Sequence, residues 1–117
     1  MKNILIAEDN DSNYLLMTYI LKKHHNCIRA RNGEEAVEMA ASEKPDLVFM
    51  DLRMPHMNGL EATRKIKAKY PTLPVIALTA NAFDTDREEA MAAGCNDFLS
   101  KPVSGQKCLD AIDKYAL

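Results

Sequence analysis

Three carboxylates, one hydroxyl and one ammonium stand at the ends of short apolar runs in this chain. Asp51 closes Leu47-Val48-Phe49-Met50, while Glu8 and Asp9 follow Ile4-Leu5-Ile6-Ala7. Thr79 ends Val75-Ile76-Ala77-Leu78, and Lys101 follows Phe98-Leu99-Ser100. A carboxylate at the end of a buried strand is costly unless a partner charge, a metal or a chemical role holds it there. Clustered carboxylates repel one another, and a hard divalent cation relieves that. Oxygen ligands completed by water suit Mg²⁺ or Mn²⁺, whereas zinc favours His and Cys. A metal on one side, with an ammonium and a hydroxyl on the other, suits a phosphoryl group whose oxygens spread charge during in-line transfer. The nucleophile in that set is Asp51, whose carboxylate would become an aspartyl phosphate.

For these residues to meet, the strand ends must share one edge. The chain alternates strand and helix five times, with short apolar strands predicted over 3–7, 26–30, 46–50, 74–78 and 97–99. Helical spacing joins Met17, Ile20 and Leu21, then Ala36, Val37 and Ala40, then Leu60, Thr63, Ile66 and Tyr70, and finally Cys108, Leu109, Ile112 and Ala116. Asn32 with Glu35 and Thr85 with Glu88 read as capping boxes, Ser104 as an N-cap, and Gly94 as a helix stop. This alternation implies βαβ units with right-handed crossovers and a parallel sheet covered on both faces. The runs 47–50 and 75–78 are apolar throughout, as strands buried on both faces should be. In such sheets the site forms beyond the carboxyl ends of the strands, where the winding direction switches. All five residues fall there.

The 117 residues fit one domain, 1–117, and 47% apolar with 27% charged residues is ordinary for a soluble globular protein. A net charge of -2 carries no basic footprint for nucleic acid. No apolar run is long enough to span a bilayer and no signal-peptide pattern follows Met1, so the chain reads as cytoplasmic, or as the cytoplasmic part of something larger. Cys27, Cys95 and Cys108 form no CxxC pair and read as small buried hydrophobes in a reducing compartment. His24 and His25 point about 100° apart on a helix, which disfavours joint metal ligation. They read as helix C-terminal residues that complement the dipole when protonated.

Taken together, Glu8-Asp9-Asn10, the stretch from Met50 to Gly59, Leu78-Thr79-Ala80 and Lys101-Pro102 resemble the receiver domain of two-component response regulators. The similarity runs from Ile4 to Ile112, and the wording around 59–64 and 77–82 is most similar to receivers of hybrid histidine kinases. The resemblance implies a flavodoxin-like (βα)5 fold, a doubly wound parallel sheet of strand order 2-1-3-4-5. It implies that Asp51 accepts a phosphoryl group from a phosphohistidine of a histidine kinase or histidine phosphotransfer domain. Asp9, Asp51 and the Arg53 carbonyl would hold Mg²⁺, with Glu8 acting through a metal-bound water. Lys101, aimed by a cis peptide before Pro102, would pair with the phosphoryl group. Thr79 and Phe98 would be the switch pair, altering the face from Asp84 to Lys114 that partners read. The first helix, including Tyr14 and Met17, would select the phosphodonor.

Some positions depart from the common pattern. Glu8 stands where many receivers have Asp, Phe98 has no hydroxyl, and the resemblance implies that Arg53 and Asn81 occupy positions that tune self-dephosphorylation. Arg53 would either screen the phosphoryl group or lie on the surface. The resemblance implies no conventional enzyme: such a chain would catalyse its own phosphorylation at Asp51 and slowly lose the group. It would be either a stand-alone receiver or part of a hybrid kinase. A haloacid-dehalogenase-like hydrolase would want an Asp two residues after its nucleophile, where Arg53 stands, and a flavin binder would want a phosphate loop after the first strand. The remaining alternative is an unphosphorylated interaction module of the same fold.

Overall fold

The computed structural model describes residues 1–80 and 84–116. Its elements are β1 (Asn3–Ala7), α1 (Asp11–Leu21), β2 (Asn26–Ala30), α2 (Gly33–Ser42), β3 (Leu47–Asp51), α3 (Gly59–Lys69), β4 (Val75–Thr79), α4 (Asp84–Ala93), β5 (Asp97–Ser100) and α5 (Gly105–Tyr115). All strands are parallel, in the order β2-β1-β3-β4-β5. The predicted doubly wound topology is the one observed.

Strand side chains alternate between two apolar layers, as a period of two requires. Leu5, Ala7, Val48 and Met50 face the layer shared with Ala36, Ala62 and Ile66 of α2 and α3. Ile4, Ile6, Leu47 and Phe49 face the layer shared with Met17 and Leu21 of α1 and Cys108 and Ile112 of α5. Phe49 and Ile6 are fully buried, each contributing about 2 kcal/mol of apolar transfer.

Three strands are displaced from their predicted bounds. β3 runs to Asp51 because Asp51 stays in register with Leu78, and the Leu52 N–H donates to the Leu78 carbonyl (3.2 Å). Asp46 is instead a tie before the strand, its carboxylate accepting from the Asn3 N–H (2.8 Å). β4 starts after Pro74, which has no N–H for the ladder, and ends at Thr79 in register with Ser100.

The caps were partly legible. Asn32 accepts from the Glu35 N–H (2.9 Å), but Glu35 reaches back to the Arg31 N–H (3.1 Å), one residue earlier than a standard box. Thr85 is no cap, since α4 begins at Asp84 and Thr85 lies inside its first turn. Gly94 has φ 110°, with its N–H on the Met91 carbonyl and that of Cys95 on the Ala90 carbonyl. That is the Schellman pattern expected of a helix stop. Asn10 and Asn58 cap α1 and α3, accepting from the N–H groups of Asn13 (3.0 Å) and Glu61 (2.9 Å).

His25 corrects the dipole reading. α1 ends at Leu21, and the His25 Nδ1 accepts from the Lys2 N–H at 3.1 Å. Partial burial and nearby positive charge hold that imidazole below its ordinary value, so it serves as a neutral acceptor. The three cysteines are free thiols; Cys95 and Cys108 are buried, Cys27 half-buried. Burial pushes the Cys108 thiol up to about 12. Among the described residues, no helix is long and apolar enough to cross a membrane.

Candidate functional site

Sheet register assembles the site. Ala7 pairs with Met50, so Glu8 and Asp51 emerge side by side from β1 and β3. Asp51 pairs with Leu78 and Thr79 with Ser100, which carries each successive strand end one residue further out. The Lys101 N–H then donates to the Thr79 carbonyl (2.7 Å), turning the chain over the acids, and the Lys101–Pro102 bond is cis, as the resemblance implied.

One ammonium serves two buried carboxylates. Lys101 Nζ lies 3.0 Å and 3.2 Å from the Glu8 oxygens and 3.0 Å from Asp51 Oδ2. Glu8 is 0% exposed and Asp51 3%. Burial, and then the Asp51 carboxylate beside it, push Glu8 up to about 7, against the opposing pull of Lys101. Burial alone would lower the Lys101 ammonium, but its bonds to Asp51 and Glu8 more than reverse this and leave it above the ordinary lysine value. Burial and the neighbouring carboxylate thus favour the neutral form of Glu8, which a second cation would oppose.

Glu8, Asp9 and Asp51 each offer an oxygen, and these atoms lie within 4.8 Å of one another. Hard oxygen donors at such spacing, with Asp9 exposed to water, fit an ion that keeps several waters. Arg53 meets the site through its backbone, its N–H donating to Asp51 Oδ1 (3.1 Å). Its side chain is 78% exposed and reaches Asp86 on α4 (3.4 Å). Thr79 is buried at the end of β4, its hydroxyl 3.4 Å from the other Asp86 oxygen. Phe98, on β5, packs half-buried against the α2/α3 layer under the Arg87 guanidinium, 5.1 Å from its ring centre. Asn81 lies outside the described residues.

Gly59 makes the loop after Asp51 possible. A Cβ there would collide with the Asp51 carbonyl oxygen and carbon, backbone atoms that cannot swing aside. Gly59→Ala is therefore expected to destabilise the protein by about 1–3 kcal/mol, read from denaturant melts. It should also disturb the cluster of Glu8, Asp9 and Asp51, because the displaced carbonyl belongs to Asp51.

Sequence reasoning passed over Asp86 and Arg29. Asp86 is one of several acids on α4 with nothing local to mark it, and only folding brings it to Thr79 and Arg53. Arg29 left one signal, a cation inside a strand. Its guanidinium contacts Glu8, Asp11 and Tyr14. The first-helix expectation needs correcting too. Met17 is core, and Tyr14 is half-buried beneath Arg29, whereas Leu15, Leu16, Tyr19 and Ile20 form the exposed apolar face. The helical period puts Met17 and Leu21 on one side and those four on the other.

Comparison with known proteins agrees with this architecture. The family model described as response regulator receiver domain matches residues 4–113. The polar-differentiation response regulator DivK of Brucella anthropi is 37% identical over 117 residues, covering 97% of this chain and 95% of DivK. The receiver domain of the sensor histidine kinase PA1611 from Pseudomonas aeruginosa, solved with a magnesium ion coordinated in its active site cleft, superposes with a TM-score of 0.90. It is 34% identical, over 98% of this chain and 97% of that one. The receiver domain of Saccharomyces cerevisiae Ssk1, co-crystallised with the histidine phosphotransfer protein Ypd1, has a TM-score of 0.91 at 32% identity, over 98% and 88% of the two chains. With its fold, its strand-end acids and these relatives in agreement, the chain belongs to the response regulator receiver domain family of two-component systems.

Proposed function

We propose that Asp51 is the phosphoacceptor of a His-to-Asp relay, and that Glu8, Asp9, Asp51 and the Arg53 carbonyl hold Mg²⁺, for which Mn²⁺ can substitute. The observation that carries this reading is the single ammonium of Lys101 bonded to both Glu8 and Asp51 inside a three-carboxylate cluster. The bound metal supplies charge neutralisation between the carboxylates and the incoming phosphoryl oxygens. An Asp51 oxygen attacks phosphorus in line, the P–N bond of the phosphohistidine breaks, and the imidazole leaves with the bonding electron pair. Lys101 follows the charge from Asp51 onto the phosphoryl oxygens. Thr79 gives its hydroxyl to one of them, which requires it to leave Asp86, and Phe98 turns inward behind it. Water later attacks the acyl phosphate slowly, so the chain acts as a switch with its own decay.

The donor is a histidine kinase, a histidine phosphotransfer domain or a kinase fused to this chain, acting on the cytoplasmic side. Its histidine-bearing helix would dock on Leu15, Leu16, Tyr19 and Ile20, which line a groove with Ser104 and Gly105. Two observations support that face. α1 begins directly after the acid loop, and Ser104 and Gly105 follow closely on Lys101, so a helix seated there lies beside Asp51. The likeness to Ssk1, solved bound to a phosphotransfer protein, supports the class of partner.

The test is intact mass after incubation with acetyl phosphate. A gain of one phosphoryl group with Mg²⁺, and none with EDTA, is expected; no gain from either acetyl phosphate or a phosphorylated histidine donor would leave the interaction-module reading. Mg²⁺ affinity carries a further signature. Glu8 is held at about 7, so its proton must leave as the metal binds. Apparent affinity should rise by about tenfold from pH 6 to pH 8 and level off above that.

A further inference from the structure

We propose that Arg29 is a positioning residue for the metal site, its guanidinium clamping the acid loop on both sides of Asp9. This rests on the reading of Glu8, Asp9 and Asp51 as metal-binding carboxylates. From β2, Arg29 Nε donates to the Glu8 carbonyl (3.0 Å), and Nη1 lies 2.8 Å from Asp11 Oδ1. The Ala30 carbonyl, next along the strand, accepts from the Glu8 N–H at 3.0 Å. Both the N–H and the C=O of Glu8 are thus held by β2, and the same guanidinium grips the first residue of α1. Asp9 and Asn10 lie between these two grips. Asp9 is exposed, so its carboxylate stands where its backbone puts it.

The clamp is an expensive way to fill that space. Arg29 is only 16% exposed in its side chain and lies 4.7 Å over the Tyr14 ring, and its buried Nη2 has no hydrogen-bond partner among the described residues. An unpaired buried N–H is costly, and Met or Leu would cover Tyr14 without that cost. A cation beside the acids also opposes a divalent ion by Coulomb repulsion. Charge and positioning therefore act in opposite directions. If Arg29 mattered only through its charge, neutralising it would tighten Mg²⁺ binding; if it shapes the loop, neutralising it will weaken binding.

The experiment is a Mg²⁺ titration of the full chain followed by backbone amide NMR shifts, on wild type, Arg29→Met, Arg29→Lys and Asp11→Asn. Amide hydrogen exchange without metal and thermal melts accompany it. Arg29→Met and Arg29→Lys are expected to weaken Mg²⁺ by about tenfold, the lower end for residues that orient metal ligands. Asp11→Asn, which loosens the exposed side of the clamp and a longer Arg31 contact (3.4 Å), should weaken it by about threefold. In the metal-free variants, exchange should quicken at the Glu8 amide, which donates to the Ala30 carbonyl, and at the Asn13 and Tyr14 amides, which donate to Asn10, while amides in β3 and β4 stay protected. Unchanged or tighter binding in Arg29→Met would overturn the proposal. If that variant does not fold, Arg29→Lys and Asp11→Asn decide, and wild-type affinity in both overturns it equally. A wild type that binds no Mg²⁺ removes the metal reading and this proposal together, whereas a binding wild type matched by every variant removes this proposal alone.

Discussion

Asp51→Asn is expected to take up no phosphoryl group from acetyl phosphate or from a phosphohistidine donor, while remaining folded. Asn has the same shape but a neutral, weakly nucleophilic amide, so the attacking oxygen is lost and the packing of the β3 end is kept. The stability change should be small, because two effects oppose each other. The Lys101 contact to Asp51 weakens, and the repulsion between Asp51 and Glu8 disappears. With Asp51 neutral, Glu8 keeps the upward push of burial and loses that of its neighbour, so its proton should leave at lower pH than in the wild type. Intact mass, a thermal melt and an NMR titration of Glu8 check these three outcomes. A labelled Asp51→Asn protein would mean that another side chain is the acceptor.

Lys101→Ala has the largest expected effect on stability. It leaves two carboxylates that are almost wholly buried without their shared counter-charge. Removing one partner of a buried pair costs about 3–5 kcal/mol, and the lower end applies here because Glu8 can keep its proton. The sign with pH follows. Glu8 in the folded protein sits at about 7, above its ordinary 4.5, so the folded state binds the extra proton between those values. Its contribution is fully present below about 4.5 and is lost as pH rises through 7. Lys101 opposes that upward shift, so without it the folded value rises further. The variant should then be more destabilised at pH 8 than at pH 6, and Mg²⁺ should recover part of the loss. Denaturant melts at the two pH values, with and without Mg²⁺, measure this. The rate of phosphoryl uptake should fall by about 100-fold, the scale for losing one positioned electrostatic donor. Equal destabilisation relative to wild type at both pH values would show that Lys101 does not control the Glu8 proton.

The residues proposed to carry the chemistry could be placed from the chain because each sits at a boundary that local physics enforces. Apolar runs of strand length make the sheet, and a carboxylate or ammonium just past such a run must lie at its rim. Glu8, Asp9, Asp51, Thr79 and Lys101, the parallel topology and the Gly94 stop were legible for that reason. Strand ends were less so, because the ladder, and not the side chains, decided that Asp51 pairs with Leu78 and that Thr79 closes β4.

Other features depend on atoms far apart in the chain. That Glu8 has no exposure and shares Lys101 with Asp51 follows from register between strands separated by most of the sequence. The side of α1 that faces water was set by its packing against α5, which buried Met17 and exposed Leu15, Leu16 and Tyr19. Asp86 and Arg29 became partners of the site only when α4 and β2 were brought beside it. The sequence alone therefore determined which groups reach the rim, through burial and periodicity along each element. Only the tertiary structure decided which of them share a counter-charge or a clamp, because those interactions act over a few ångströms between elements whose placement no local pattern encodes.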